Sequence, residues 1–212
     1  SSDLVLAMMA SVDSTYFPPG TAYRYSNSGY AVLAMIVEQV SGMTFPAFLE
    51  EHVFRPAGMK RSVAFVDGIN TVPNRAYGYA PEGGGFVFSD QSTTSAVLGD
   101  GGIYTSVADM FRWDRALYDG RLVSKSMLET AYTSAVLADG SATGYGFGWS
   151  SGEYRGHRRV LHSGSTCGFR TAFHRYPDDR FAVIVLTNRR VANPDNLAER
   201  LTDIFLMEDN GE

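Results

Sequence analysis

The sequence predicts an α+β fold in which helices come first and an antiparallel sheet follows. Three observations carry this. Apolar residues recur at helical spacing in the first half, as in "GYAVLAMIVEQVSG". After Gly144 the pattern changes to aromatic and β-branched runs, "YGFGWSS", "RRVLHSG", "GFRTAFHRYP" and "FAVIVLTN". A capped amphipathic stretch, "NPDNLAERLTDIFLM", closes the chain, as a helix laid over the sheet would.

Each element has its own signal. "SDLVLAMMAS" reads as a short helix with Ser2 or Asp3 near its start, and "STYFPPGTAY" as a turn. In the next helix Val32, Leu33, Ile36, Val37 and Val40 fall on one stripe, and Gly42 sits at the C-terminal cap. Thr44 opens a second helix, "TFPAFLEEHVF". Residues 61–104 lack periodicity and are expected to be loops with one or two short strands. Ser106, Asp109 and Gly120 bracket a helix in a capping-box layout, and "SKSMLETAYTS" gives another. "YPDDRF" joins the last two strands as a hairpin. Asn193 caps the final helix, Pro194 takes its first position, and Leu197, Leu201, Ile204 and Phe205 form its apolar face. The division expected is a mainly helical lobe over residues 1–143 and a sheet lobe over 144–212, intertwined in one domain.

Composition narrows the functions. The chain has 212 residues, 44% hydrophobic and 19% charged, enough for a sizeable core. A net charge of -5 without a Lys/Arg cluster argues against nucleic-acid binding. No apolar run reaches membrane-spanning length, and the first residues lack a signal-peptide pattern. The lone Cys167 forms no intrachain disulfide, and His157, His162 and Cys167 lack a fourth ligand at a zinc spacing, so neither metal nor cofactor is expected.

The segment "YRYSNSGY" crowds tyrosines, serines and an asparagine at the mouth of an apolar helix, where they need partners. With "GDGGIYTSVADMFRWDRAL", "YGFGW" and "HSGSTCGF" it completes an ordered set. In that order the segments resemble the serine β-lactamase-related hydrolases: class C β-lactamases, DD-peptidases and related esterases. Tyr25-Ser26-Asn27 is similar to the family's Tyr-x-Asn segment, and His162-Ser163-Gly164 to its third motif, Lys-Thr-Gly or His-x-Gly. The resemblance covers nearly the whole chain and implies a β-lactamase/transpeptidase-like fold.

The family's Ser-x-x-Lys nucleophile motif is absent from these residues: Ala57 and Leu122 stand three positions before the two lysines, Lys60 and Lys125. The chain is therefore expected to be the C-terminal part of a longer hydrolase. The resemblance implies catalytic roles for Tyr25, Asn27 and His162. Tyr25 would exchange the proton between nucleophile and leaving group, and Asn27 would hold the acyl-side amide carbonyl. Ser163, Gly164 and Ser165 would bind substrate, with Gly164 admitting the substrate backbone and the Ser165 N–H forming half of the oxyanion cradle. Without such context, Tyr25 and Asn27 read as turn and helix-start residues, Asn27 as a cap, and His162 as a strand-end histidine. Tyr23 and Tyr30 read as packing, and Phe147, Trp149, Phe169 and Phe173 as sheet core.

Two classes of function follow. One is a portion of a serine hydrolase acting by acyl-enzyme formation on an ester, a D-amino-acid peptide or a β-lactam amide. The other is a non-catalytic binding or regulatory module on the same fold. Histidine in the third motif, charged only part of the time near neutral pH, favours a peptidase or esterase over a β-lactamase. Expected partners are a small-molecule or peptide substrate, and a missing N-terminal fragment or an element-swapped dimer that covers an exposed sheet edge and apolar groove. By resemblance the compartment would be periplasmic or extracellular.

Overall fold

Helix caps, left-handed glycines and strand pairing set the elements of the computed structural model, which describes residues 2–92 and 97–207. In chain order they are α1 (Ser2–Ala10), α2 (Asn27–Ser41), α3 (Phe45–Leu49), a π-helical turn (Glu50–Phe54), α4 (Arg55–Ala57), β1 (Val63–Ala64), β2 (Tyr79–Glu82), β3 (Gly85–Phe88), β4 (Ile103–Tyr104), α5 (Val107–Tyr118), α6 (Lys125–Tyr132), β5 (Ser150–Tyr154), β6 (His157–Thr166), β7 (Phe169–Tyr176), β8 (Phe181–Thr187), α7 (Pro194–Thr202) and a second π-helical turn (Asp203–Met207). The fold class is α+β, as expected.

The chain groups into two compact units, one made of Ser1–Arg75, Gln91–Leu122 and Val136–Thr143, the other of Ala76–Asp90, Val123–Ala135 and Gly144–Glu212. Residues 76–90 and 123–135 group with the sheet. The reason lies in their bonds. Gly168 N–H donates to the Ser89 carbonyl at 2.7 Å, Ser89 N–H to Gly78 at 2.9 Å, and Tyr79 N–H to Asn188 at 3.1 Å. A Cβ on Gly168 would lie 2.3 Å from the Tyr79 nitrogen, so only glycine permits this seam. The β2–β3 hairpin is thus mounted on the sheet by main-chain bonds.

In the first unit, Phe54, Ala57, Met59, Ala64 and Ala116 form an apolar core, with Leu49, Val53 and Trp113 packed against it. Beside it lies a buried anion. Asp109 is 0% exposed and accepts from Arg61 N–H at 2.7 Å, Ser62 Oγ–H at 2.9 Å and Arg112 at 2.8 Å. The expected capping box is half made: Ser106 Oγ accepts from Asp109 N–H at 3.2 Å, while the Asp109 carboxylate bonds to the loop before β1.

In the second unit the sheet order is β5-β6-β7-β8, all antiparallel. Directly opposed residues share a face. Ser163, Ala172 and Val185 are in register, as are Leu161, His174 and Val183, and on this face Ala198 and Leu201 of α7 close the core. His162, Phe173 and Ile184 define the other face, where Trp149 packs on Phe173 and Tyr132 on Trp149. Buried Arg175 reaches the Tyr132 hydroxyl on that side. β5 pairs with β6 only as far as Ser150↔Leu161. Residues 162–166 of β6 therefore run on with β7 alone as strand partner among the described residues. β8 likewise pairs with β7 only among them.

Several expectations need correction. "YGFGW" is mostly turn rather than strand, since Gly148 has φ 77° and a Cβ on Gly146 would sit 2.2 Å from the Ala131 carbonyl. Phe147 is exposed, whereas Trp149 and Phe173 are buried. Tyr23 is also exposed. Among the described residues, 61–104 contribute four short strands, not one or two. α7 buries Ala198 and Thr202, while Leu197, and Ile204 and Phe205 in the π-helical turn after it, are exposed.

Candidate active site

In the first unit the Tyr-x-Asn segment is fixed by its middle residue. Ser26 is extended (φ -142°, ψ 108°) and its Oγ accepts from Gly29 N–H at 3.0 Å, which makes it the N-cap of α2. Asn27 is the first helical residue, exposed, and not the cap. Tyr25 precedes the cap with 49% of its surface exposed. Partial burial, then neighbouring Tyr30 and Asp100, raise its phenol above the usual tyrosine range.

Asp100 owes its place to Gly99. Gly99 has φ +98°, and a Cβ there would lie 2.3 Å from the Tyr30 carbonyl, so the Gly-Asp-Gly-Gly turn packs directly on the first turns of α2. Burial raises the Asp100 carboxyl above its ordinary range, partly offset by the backbone N–H groups of Asp100 and Gly101. The turn was legible in the sequence, but the approach of Asp100 to Tyr25 was not, because it depends on a close glycine contact far along the chain.

In the second unit the His-x-Gly motif lies where β6 has outrun β5. His162 Nε2 and the Tyr145 hydroxyl share a hydrogen bond of 2.9 Å. Burial lowers the His162 pKa below the ordinary histidine value, with a hydrogen bond to the Ser163 backbone pulling the other way. The neutral form of the ring is therefore favoured near neutral pH. Ser163 faces α7 instead. Its Oγ–H donates to Asp195 Oδ1 at 2.6 Å, and His174 Nε2–H donates to the same oxygen at 2.9 Å. A Cβ on Gly164 would lie 2.4 Å from Thr171 Oγ1, so this glycine is required by its cross-strand partner. Ser165 is exposed on the stretch of β6 without a β5 partner. The strand ends at Thr166, and Cys167 takes φ 42° in the turn to β7.

Tyr25 and Asn27 thus belong to one unit, and His162, Ser163, Gly164 and Ser165 to the other. Tyr145, Asp195 and His174 were missed from sequence. For Asp195 a local signal existed, an acid in the first turn after an Asn-Pro cap, but nothing local pairs it with Ser163.

The profile of the Beta-lactamase family matches residues 5–205. The chain belongs to the β-lactamase family. Among relatives of this β-lactamase-family chain, penicillin-binding protein 4* of Bacillus subtilis is 33% identical over 202 residues, spanning 89% of this chain and 45% of that protein. D-aminopeptidase of Brucella ovis is 30% identical over 183 residues, spanning 85% of this chain and 34% of that protein. The β-lactamase-family chain thus covers less than half the length of these relatives. The octameric penicillin-binding protein homologue from Pyrococcus abyssi superposes with TM-score 0.85 at 25% identity, covering 98% of this chain and 48% of that one. D-amino acid amidase from Ochrobactrum anthropi SV3 shares the fold with TM-score 0.78 at 17% identity, over 100% of this chain and 65% of that one. No single helix among the described residues is long and apolar enough to cross a membrane.

Proposed function

We propose that this chain supplies the proton-handling and substrate-holding parts of a serine hydrolase that works through an acyl-enzyme, with the nucleophile outside these 212 residues. The observation that carries the reading is the open edge of β6. From His162 to Thr166 one side of the strand has no strand partner among the described residues, and Gly164 lies in its middle. A substrate backbone laid there would add as a further strand, and the Ser165 N–H would point a donor at a developing oxyanion.

Tyr25 is the proton carrier in this reading. As the serine oxygen bonds to the carbonyl carbon, its proton passes to the phenolic oxygen and on to the leaving nitrogen or oxygen as that bond breaks. Water then releases the acyl group by the reverse relay. With its pKa raised, the resting phenol is neutral; to take the serine proton it must first release its own to solvent, and a cation from the nucleophile's segment would hold the resulting phenolate. Asn27, exposed beside it, would hold the acyl-side carbonyl of the substrate.

His162, whose neutral form is favoured near neutral pH, offers no fixed charge to a drug-like carboxylate, which supports an ester, amide or D-amino-acid peptide over a β-lactam. The names of the relatives, penicillin-binding protein and D-aminopeptidase, agree with an acyl-transfer role. A binding module without chemistry is the second reading, favoured by the lack of Ser-x-x-Lys within the chain. A fluorophosphonate label, read by intact mass on the protein expressed from its whole gene, tests the two. A labelled serine N-terminal to Tyr25 supports the hydrolase. Absence of label and of turnover on D-amino-acid amides and esters supports the module.

A further inference from the structure

We propose that Asp195 sets the substrate class of this site, by making Ser163 a hydrogen-bond acceptor and favouring substrates that bring an ammonium or N–H donor beside the reacting carbonyl over those that bring a carboxylate. The inference rests on the hydrolase reading above, in which substrate lies along the β6 edge.

A serine hydroxyl has one proton to give. Ser163 gives it to Asp195 Oδ1 at 2.6 Å. Towards anything bound along β6 it then presents only lone pairs, with a carboxylate directly behind them. At the Ser163 side chain a substrate carboxylate would meet oxygens rather than a donor. A substrate ammonium would meet an acceptor polarised by a negative charge.

The arrangement is held in place at a cost. His174 is 1% exposed and donates Nε2–H to the same Asp195 oxygen at 2.9 Å, while its Nδ1 has no hydrogen-bond partner among the described residues. A buried nitrogen left unpaired is unfavourable, and the bond from Nε2 is the one that holds the ring against Asp195. The Asp195 side chain retains 44% of its surface, and its charge is felt outside.

Helix geometry points the same way. The N-terminus of α7 has the partial positive charge and free N–H groups that attract an anion. Here Asn193 Oδ1 caps the helix by accepting from Asn196 N–H at 3.1 Å, Pro194 has no N–H to offer, and Asp195 places its own carboxylate in the first turn. The helix's own Asp195 carboxylate fills the anion position at the α7 N-terminus.

The test uses three p-nitroanilides of one scaffold with the protein expressed from its whole gene: D-alanine (ammonium), N-acetyl-D-alanine (neutral) and N-succinyl-D-alanine (carboxylate). The expected kcat/KM preference for the ammonium over the carboxylate substrate is about tenfold or more. Asp195→Asn should narrow it by about tenfold, chiefly through KM, and Asp195→Glu should restore part of it. Should Asp195→Asn fail to fold, 1 M NaCl with the unsubstituted protein serves instead, because screening shortens to about 3 Å and should also narrow the preference. A preference untouched by the variant, or by salt where the variant does not fold, overturns the inference. Tyr25→Phe separates the two claims: hydrolysis that survives it sinks the hydrolase mechanism, whereas hydrolysis lost in Tyr25→Phe with an unmoved preference in Asp195→Asn sinks only the role of Asp195. If no substrate is hydrolysed, both fall.

Discussion

His162 and Ser163 are neighbours in the chain, yet their side chains leave β6 on opposite faces of the sheet. His162 meets Tyr145 at 2.9 Å on the side of Phe173 and Trp149, and Ser163 meets Asp195 at 2.6 Å on the side of α7. One tripeptide therefore ties both layers of the second unit to the open stretch of strand between them. The effects of substitution can be read layer by layer.

Gly164 has a structural and a proposed functional reason to be glycine, and a double-mutant cycle separates them. Gly164→Ala forces its methyl to within 2.4 Å of Thr171 Oγ1 and should cost about 1–3 kcal/mol in a denaturant titration. Thr171→Ala removes that atom and leaves Thr171 Cβ at an ordinary 3.7 Å, so the double variant should recover most of the loss. If hydrolysis stays low in the restored double variant, glycine is needed by the substrate. Failure of Thr171→Ala to rescue stability would refute the steric account.

The depressed pKa of His162 makes a pH-dependent contribution whose sign is fixed. In the unfolded chain histidine titrates near ~6.5. The folded ring takes its proton only at lower pH, so the unfolded chain binds more protons in between. Stability should fall as pH drops through about 6.5, level off below the folded pKa, and show no His162 contribution above this window. Melting curves from pH 8 to 5 should be flatter for His162→Gln than for the unsubstituted chain; parallel curves would contradict the burial argument.

Asp109 should be among the costliest positions in the first unit. It is fully buried and serves two backbone or hydroxyl donors and the Arg112 guanidinium. Asp109→Ala strands those donors and should lower stability by about 3–5 kcal/mol in urea unfolding. Ser106→Ala, which removes only the cap, should cost about 1 kcal/mol.

Tyr25→Phe removes one oxygen from a half-exposed ring, so folding should be unchanged by circular dichroism while kcat falls by about 10²–10⁴. An unaltered kcat would reassign the proton transfer to another group.

Local rules made much of the fold readable. Gly42 in the left-handed region, Ser106 and Asn193 as caps, and the hairpin over "YPDDRF" each depend on a few adjacent residues. What failed depended on distant neighbours. Of the apolar stripe of α2, Val32 and Val37 are half-buried and Leu33, Ile36 and Val40 are exposed, while the buried positions are Ala31 and Ala34. Small residues win there because Gly99 comes so near that its Cβ would lie 2.9 Å from Ala34 Cβ. The site divides in the same way. Tyr25 and His162 stand in short motifs that a sequence displays. Asp100 is brought to Tyr25, Tyr145 to His162, and Asp195 and His174 to Ser163, only by strand register, helix packing and close turns.

The main-chain seam between Gly78, Ser89, Gly168 and Asn188 has an evolutionary implication. Because it uses amides and carbonyls, which every residue but proline carries alike, the outer residues of the hairpin, Pro81 to Val87, can be exchanged with little effect on its mounting. The fixed requirement is glycine at 78 and 168. This hairpin is therefore a place where a lineage, or a library, can try new surfaces beside the strand turn at Cys167 at little risk to the scaffold.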